Sequence, residues 1–158
     1  QALAKLAIGA GMEVVFSDMH NDHIDVALEF FDGQSLSFTC KNVGLEGVLA
    51  QSDFISLHVP GGDLIGAAEI AKMKDGVFLL NAARGGVINE EALLDALESG
   101  KVAGAGLDVF KNEPTPAVKV LMNGKVSLTP HIGAATGEAQ DRIGTELASH
   151  IDALAASL

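Results

Sequence analysis

Short runs of consecutive apolar residues alternate along the chain with segments whose apolar residues recur every three or four positions. The first pattern is typical of buried parallel strands, and the second is typical of helices that cover a sheet. The predicted strands are MEVVFSD (12–18), DFISLHV (53–59), GVFLLN (76–81), VAGAGLDVF (102–110) and KVSLTP (125–130). The predicted helices are residues 1–10, LEGVLAQ (45–51), LIGAAEIAKMK (64–74), residues 90–99 and the segment after Thr136.

This alternation predicts an α/β fold, a doubly wound parallel sheet of the Rossmann type. Residues 19–43 are mixed and polar, and their pattern predicts neither a helix nor a strand. The sequence opens inside a helical pattern without an initiator Met, and the G-x-G-x-x-G turn of a nucleotide-binding sheet is absent from it. We therefore expect a fragment that lacks the first strand and the glycine-rich turn of the fold.

Capping residues mark the ends of two predicted helices. Asn89 is a good N-cap, and Gly100 occupies the usual position just after a C-terminus. Acidic residues follow Asn89 in the first turn, where the helix dipole favours them. The buried stripe of this helix is predicted to be Leu93, Leu94 and Leu97. Thr136 is predicted to cap the last helix. The apolar face of that helix comprises Ala139, Ile143, Leu147, Ile151 and Leu154.

The composition supports this fold and limits the classes of molecule that we expect to bind the chain. Hydrophobic residues make up 48% of the chain but aromatic residues only 4%, so we expect a core of Ala, Val, Ile and Leu. A formal net charge of −11 repels phosphate backbones and anionic lipid, so neither nucleic acid nor a membrane is an expected partner. Cys40 is the only cysteine, which excludes an internal disulfide and favours a reducing, cytoplasmic location. No apolar run reaches membrane-spanning length.

Polar residues cluster where the predicted strands end. Because ligands of such sheets bind at the carboxyl ends of the strands, we expect these residues to share one rim. The rim comprises Asp18 and residues 58–60, 81–86, 108–114 and 129–134. An acid at the position of Asp18 accepts hydrogen bonds from an adenosine ribose and repels a 2′-phosphate, which favours NAD over NADP. The alternative is that Asp18 is a turn residue.

Other rim residues carry groups suited to anion binding and proton transfer. Arg84 lies between an apolar run and two glycines, and its planar guanidinium suits a carboxylate; alternatively it is a surface arginine paired with an acid. A carboxylate at Glu113 would fix the tautomer of His131 and make it a better acid and base. Alternatively, Glu113 is a solvated loop residue. Asp108 is interpreted as facing a nicotinamide carboxamide or as capping a loop.

The remaining histidines give weaker signals. His58 follows an apolar run, and we expect it to line a cofactor together with Val59 and Pro60. His20 and His23 lie close in sequence, but no convincing further ligand accompanies them, so we predict no metal site. His150 falls on the last helix, where a surface or interface position is expected.

Four stretches, taken together, resemble the nucleotide-binding domain of the D-isomer-specific 2-hydroxyacid dehydrogenases. They are AIGAGMEVVFSD, SDFISLHVP, residues 73–114 and LTPHIGAAT, and they follow one another in the family's order. The combination of N-x-x-R-G-G, L-D-V-F-x-x-E-P and T-P-H-I-G-A is highly specific. The stretches TPAVKVLM and EAQDRIGTELA are most similar to the branch that oxidises 3-phosphoglycerate in serine biosynthesis.

The resemblance implies NAD as the cofactor and a D-2-hydroxy acid, most specifically 3-phosphoglycerate, as the substrate. It implies that His131 is the general acid and base and that Glu113 is its carboxylate partner. It also implies that Arg84 holds the carboxylate and the carbonyl of the substrate. The implied cofactor contacts are Asp18, Ala82, Ala83, Arg84, Asp108, His131, Gly133 and Ala134.

The resemblance also implies how the chain is organised. Residues 1–135 would form an N-terminally incomplete nucleotide-binding domain, and residues 136–158 a helix between domains whose apolar face is only partly covered. The family's substrate domain would be missing, and pairing through the nucleotide-binding domain would give a homodimer. Two alternatives stay open: a non-catalytic NAD-sensing module of the same fold, and an inactive fragment whose exposed sheet edge drives association.

Overall fold

A computed structural model describes residues 1–156 of the chain. Within that range helices and strands alternate along most of the chain, as the apolar pattern predicts. In chain order the elements are α1 (Ala2–Gly9), β1 (His23–Glu29), β2 (Ser35–Lys41), α2 (Gly44–Gln51), β3 (Phe54–Leu57), α3 (Ala67–Lys72), β4 (Val77–Asn81), α4 (Glu90–Ser99), β5 (Val102–Leu107), α5 (Val118–Leu121), β6 (Val126–Leu128) and α6 (Gly137–Ala156).

Strands β3 to β6 form one parallel sheet in the order β3-β4-β5-β6, which confirms the predicted Rossmann-like α/β fold. A helix connects each strand to the next, as parallel pairing requires. The register pairs Leu57 with Asn81, Asn81 with Leu107, and Leu107 with Leu128. The carboxyl ends of all four strands therefore lie at the same edge of the sheet.

The hydrophobic core lies between one face of this sheet and helices α2 to α5. Residues of β4 alternate between the two faces: Val77 and Leu79 are buried, whereas Phe78 and Leu80 are each 41% exposed. The core is built mainly from aliphatic side chains, as expected; its helix residues include Leu49, Ile70, Leu93, Leu97 and Val120. On the opposite face Phe54 stacks on Phe78 with ring centroids 5.1 Å apart. The helices of the described range thus bury one face and leave part of the other accessible.

Residues 12–18, predicted as a strand, are not part of any ladder. Phe16 makes one isolated parallel bridge to Asn42, where the Val43 amide donates to the Phe16 carbonyl over 3.0 Å. An apolar β-branched run favours an extended backbone, but a strand also needs a neighbouring strand along its length. This segment pairs only through Phe16, with the last residue of β2 and the two residues after it, so the strand prediction is wrong.

The segment that the sequence pattern left unassigned contains an antiparallel hairpin. Strands β1 and β2 pair from His23 opposite Lys41 to Glu29 opposite Ser35. The turn includes Gly33, whose φ of 84° lies in the left-handed region that favours glycine. Asp-Gly between two extended runs is a recognised hairpin signal, which the surrounding polar residues obscure in this sequence. Phe31 at the turn is fully exposed.

The predicted helix ends agree with the structure at α4 and α6. The Asn89 side chain accepts a hydrogen bond from the Ala92 amide at 3.1 Å, and Gly100 is left-handed with φ of 82°. Of the predicted stripe, Leu93 and Leu97 are buried and Leu94 is partly buried. Helix α3 is shorter than predicted, because the residues before Ala67 are extended and Ile65 bridges to Ile88.

Helix α6 begins after Thr136, whose hydroxyl accepts from the Ala139 amide at 3.2 Å, as predicted. Ala139 is buried. The four larger apolar residues of its predicted face are each at least half exposed: Ile143, Leu147, Ile151 and Leu154. The expectation of a partly uncovered face is therefore confirmed for the described part of the helix, and residues 157–158 lie outside it. The domain boundary at residues 135 and 136 stays a prediction.

Candidate active site

The ends of β4, β5 and β6 bring three loops together at one edge of the sheet. The Asp108 amide donates to the carbonyl of Asn81 over 2.9 Å, and the Thr129 amide donates to the carbonyl of Leu107 over 3.0 Å. Parallel pairing thus extends to the first residue after β5 and β6. The loops that follow these strands therefore start side by side, as the rim prediction requires.

Asn81, at the end of β4, shapes the loop that carries Arg84. Its side chain is buried, donates to the Arg84 carbonyl at 3.0 Å and accepts from the Ala83 amide at 3.1 Å. The Arg84 guanidinium is exposed and donates through Nη1 to the Ala83 carbonyl at 2.6 Å. Sequence reasoning treated Asn81 only as the end of an apolar run. An asparagine between a continuous apolar run and a nearby glycine pair is the sequence signal for this positioning role.

A shallow cavity of about 360 Å³ joins this loop to the end of β3. Its lining is His58, Val59, Pro60, Ala83 and Arg84, which are all predicted site residues. Nε2 of His58 lies 3.0 Å from the Ser56 hydroxyl. Desolvation lowers the pKa of His58, which favours the neutral ring. The structure thus places two separate predicted stretches around one concave surface.

Glu113 and His131 form a direct pair, with Nδ1 of His131 2.7 Å from Oε2 of Glu113. The other carboxylate oxygen of Glu113 accepts from the Phe110 amide at 2.9 Å. These hydrogen bonds, first that of His131 and then that of Phe110, lower the pKa of Glu113. Glu113 is therefore a carboxylate at neutral pH rather than a freely solvated loop residue. Since it engages Nδ1, Nε2 is the nitrogen of His131 that can exchange a proton with a ligand.

Close backbone packing joins the Arg84 loop to the Glu113 loop. A Cβ atom placed on Gly85 would lie 1.8 Å from the carbonyl oxygen of Phe110, a distance that no side chain can occupy. Glycine is therefore required at this position for steric reasons. The Phe110 amide holds Glu113, so the two loops that carry Arg84 and Glu113 share one contact.

Asp108 holds the loop that carries His131. Its buried carboxylate accepts hydrogen bonds from the Thr129 hydroxyl and from the amides of Ile132 and Gly133, at 2.6, 2.8 and 2.9 Å. Burial alone would raise the pKa of Asp108, but these three hydrogen bonds lower it overall. The loop-capping alternative for Asp108 is confirmed, and its contact with a nicotinamide stays a prediction. Ala82 and Ala134 lie in the same loops, after β4 and β6.

Asp18 lies in a turn of its own. Its Oδ1 accepts from the His20 amide at 2.8 Å, and from the amide and the side chain of Asn21 at 2.9 and 2.8 Å. The His20 amide is the largest cause of the lowered pKa of Asp18. The turn-residue alternative thus describes this side chain, whose contact with a ribose stays a prediction.

Neither a metal cluster nor a membrane span is found in the described range. Among residues 1–156, no three His, Cys, Asp or Glu side chains are grouped so that they could hold a metal ion. No helix within these residues combines the length and the apolar character that crossing a bilayer requires.

Comparison with known families identifies one model that matches most of the chain. Residues 1–133 match the model described as "D-isomer specific 2-hydroxyacid dehydrogenase, NAD binding domain". The matched range contains every predicted site residue except Ala134.

Individual relatives agree with the family match. A hydroxypyruvate reductase of Thermotoga maritima is 44% identical over 96% of this chain and 48% of its own length. A D-3-phosphoglycerate dehydrogenase of Mycobacterium bovis is 46% identical over 69% of this chain and 21% of its own. The crystal structure of a glyoxylate reductase from Paecilomyes thermophila superposes with a TM-score of 0.75 at 40% identity, covering 90% of this chain and 42% of that one. The chain thus spans about half the length, or less, of these relatives.

Proposed function

Because the chain belongs to the D-isomer specific 2-hydroxyacid dehydrogenase family, we propose that it supplies the cofactor side and the acid–base residues of an NAD-dependent D-2-hydroxyacid dehydrogenase. The observation that carries this proposal is the pair of His131 and Glu113 at the strand-end rim, beside the loop of Arg84. One edge of the sheet thus presents a proton carrier, the carboxylate that orients it and an exposed guanidinium.

The residues at this rim fit the nicotinamide end of NAD. The cavity between His58 and Arg84 is lined partly by small and apolar groups, which suit a flat ring. The G-x-G-x-x-G pattern of a pyrophosphate-binding turn does not occur in residues 1–158, so the proposed contacts concern the nicotinamide end alone. When bound, NAD supplies the hydride acceptor for oxidation of the substrate.

In the proposed reaction the chain moves one proton, while Arg84 holds the substrate carboxylate nearby. His131 takes the hydroxyl proton of the substrate on Nε2, while Glu113 on Nδ1 stabilises the imidazolium that results. In the reverse direction the protonated ring donates to the 2-oxo oxygen. Arg84 carries several planar donors, of which Nη1 contacts Ala83, and its guanidinium orients the substrate carboxylate.

For the substrate we propose 3-phosphoglycerate, with D-glycerate as the second candidate. The first is supported by the 46% identity to a D-3-phosphoglycerate dehydrogenase, and the second by the hydroxypyruvate reductase that aligns with nearly the whole chain. The two differ by a phosphate, so kcat/KM for 3-phosphoglycerate and for D-glycerate with NAD discriminates between them. A higher value for D-glycerate would reject the first candidate.

Titration of the 158-residue chain with NADH tests the cofactor side of the proposal. The chain contains no Trp or Tyr, so NADH emission is read without overlapping protein emission. We expect saturable binding, weaker binding of NADPH, and amide NMR shifts concentrated in residues 58–60, 82–84 and 131–134. The variant His131→Ala is titrated in the same way. Its control is His150→Ala, which removes an exposed imidazole of α6. Absence of saturable binding, or shifts confined to other surfaces, would contradict the proposal.

Substrate oxidation, measured beside NADH binding, separates the enzyme from the non-catalytic alternative. An NAD-sensing module would bind NADH equally well but would not oxidise any D-2-hydroxy acid in an NADH-formation assay at 340 nm. Turnover that disappears with His131→Ala and persists with His150→Ala would support the enzyme.

We also propose a homodimer through the nucleotide-binding domain in a reducing, cytoplasmic compartment. Exposed apolar side chains of the accessible sheet face support association, and the buried single Cys40 suits a compartment without disulfides. Light scattering over a hundredfold range of concentration tests the dimer. A constant monomer mass would reject it.

A further inference from the structure

The loop between β6 and α6 places His131 in a backbone conformation that few residues adopt. Its φ is 56°, and it is the one residue other than glycine with positive φ in the described range 1–156. A left-handed backbone at a residue with a side chain persists when surrounding contacts hold it there. The contacts of this loop therefore decide where the imidazole lies.

Those contacts converge on one buried carboxylate. The three groups that donate to Asp108 flank His131 on both sides: the Thr129 hydroxyl before it, and the amides of Ile132 and Gly133 after it. Thr129 and Ile132 reach Oδ1, and Gly133 reaches Oδ2, so both oxygens are engaged. A carboxylate accepts at both oxygens, whereas an asparagine offers one oxygen and one donor.

The loop also leaves room for this carboxylate, because position 133 carries no side chain. A Cβ atom on Gly133 would lie 3.0 Å from Oδ2 of Asp108, closer than an ordinary van der Waals contact. Gly133 thus lets its amide approach the carboxylate at 2.9 Å without a side chain between them.

We propose that Asp108 is a positioning residue that clamps residues 129–133 and thereby holds the left-handed backbone of His131, so that Nδ1 meets Glu113. The effect of this clamp on catalysis rests on the proposed role of His131. The clamp itself is a property of the folded chain. Asp108 acts through the backbone of the loop and needs no contact with a ligand.

Amide hydrogen exchange in the ¹⁵N-labelled chain tests the clamp without cofactor or substrate. Asp108→Asn keeps the side-chain size but turns one acceptor into a donor. We expect exchange of the Ile132 and Gly133 amides to accelerate about tenfold or more, while the amides of α4 and β4 change little. Asp95→Asn, which removes an exposed carboxylate of α4, is the matched control and should leave the loop unchanged.

The ring of His131 gives a second readout that general loss of stability would not produce. In long-range ¹H–¹⁵N spectra, Asp108→Asn should remove the preference for a proton on Nδ1 that the Glu113 contact imposes. Thr129→Val removes one donor and spares both amides, so a smaller effect is expected. Unchanged exchange together with an unchanged ring pattern in Asp108→Asn would overturn the proposal.

Gly133→Ala keeps the proposal testable if Asp108→Asn fails to fold. It leaves the carboxylate in place and pushes the Gly133 amide away from it, so the same local acceleration and ring change are expected. Normal exchange of the backbone amide at position 133 together with a normal His131 ring in this variant would contradict the clamp. These outcomes are independent of NADH binding, so a failed clamp and a failed cofactor proposal are distinguishable.

Discussion

The strand-end rim and helix α6 differ in how their residues are held. At the rim, Asn81 and Asp108 are buried and hydrogen-bonded to the loops beside them, and Glu113 is fixed on both oxygens. On α6 the larger apolar residues, such as Leu147, are at least half exposed. The geometry of the rim is thus a local property of three neighbouring loops. Changes at the rim should therefore have large effects, and changes on α6 small ones.

The largest expected effect is the loss of the proposed proton carrier. Replacing His131 with Ala in a form of the protein that turns over a D-2-hydroxy acid should lower kcat about 10²–10⁴-fold, the usual contribution of general acid–base catalysis. NADH affinity should change far less, because the imidazole acts on the reacting hydroxyl. Steady-state kinetics and NADH titration measure the two quantities. Equal losses in both would remove His131 from the proton-transfer step.

The next effect concerns the contact between two rim loops. Gly85→Ala would place a Cβ atom 1.8 Å from the Phe110 carbonyl, so the backbone must move. We expect the free energy of unfolding to fall by about 3 kcal/mol, at the upper end of overpacking costs. Gly124→Ala is the control, because its Cβ would meet no atom within 4 Å. Urea unfolding followed by far-UV circular dichroism measures both, and equal stabilities would contradict the close approach.

A smaller effect, with a defined pH dependence, is expected at Asp108. Its pKa is lower in the folded chain than the ordinary 3.8, so the carboxylate contributes stability above that pH and loses it as the pH falls through the folded pKa. Asp108→Asn should therefore cost roughly 2 kcal/mol at pH 7, as hydrogen bonds to charged groups do, and less below about pH 4. Urea unfolding at pH 7 and pH 3 gives the two differences. A larger difference in the free energy of unfolding at pH 3 than at pH 7 would contradict this pH dependence.

The smallest effect is expected on α6. Leu147→Ala removes a side chain that is 58% exposed, so the free energy of unfolding should change by no more than about 0.5 kcal/mol. Leu93→Ala on α4 makes the same change at a fully buried position and should cost about 2–5 kcal/mol. Similar losses for the two leucines would show that α6 is covered in solution and would weaken the contrast with the rim.

Much of this fold follows from periodicity. The strands β3 to β6 coincide with continuous apolar runs, and Asn89 and Gly100 mark the ends of α4 through local chemistry. Residues 12–18 have a similar apolar run and form no strand, because pairing depends on a neighbour that a local pattern does not reveal.

Some contacts of the candidate site were predictable from the sequence and others were not. The polar groups at strand ends indicated Arg84, Glu113 and His131, and the structure brings the last two into direct contact. The Asp108 clamp involves partners 21 to 25 residues away, and the Gly85 contact depends on the path of the backbone at Phe110. Such relations come from the tertiary fold, which spacing along the chain does not encode.

The close approach of Gly85 to Phe110 also limits how the rim can move. If Gly85 moves toward Phe110, the Phe110 backbone must move as well, because the two lie too close to admit even a Cβ atom between them. The Phe110 amide holds Glu113, and Glu113 in turn orients His131. Under the proposed roles of Arg84 and His131, a carboxylate that pushes the Arg84 loop toward Phe110 would therefore also shift Glu113 and misalign the imidazole.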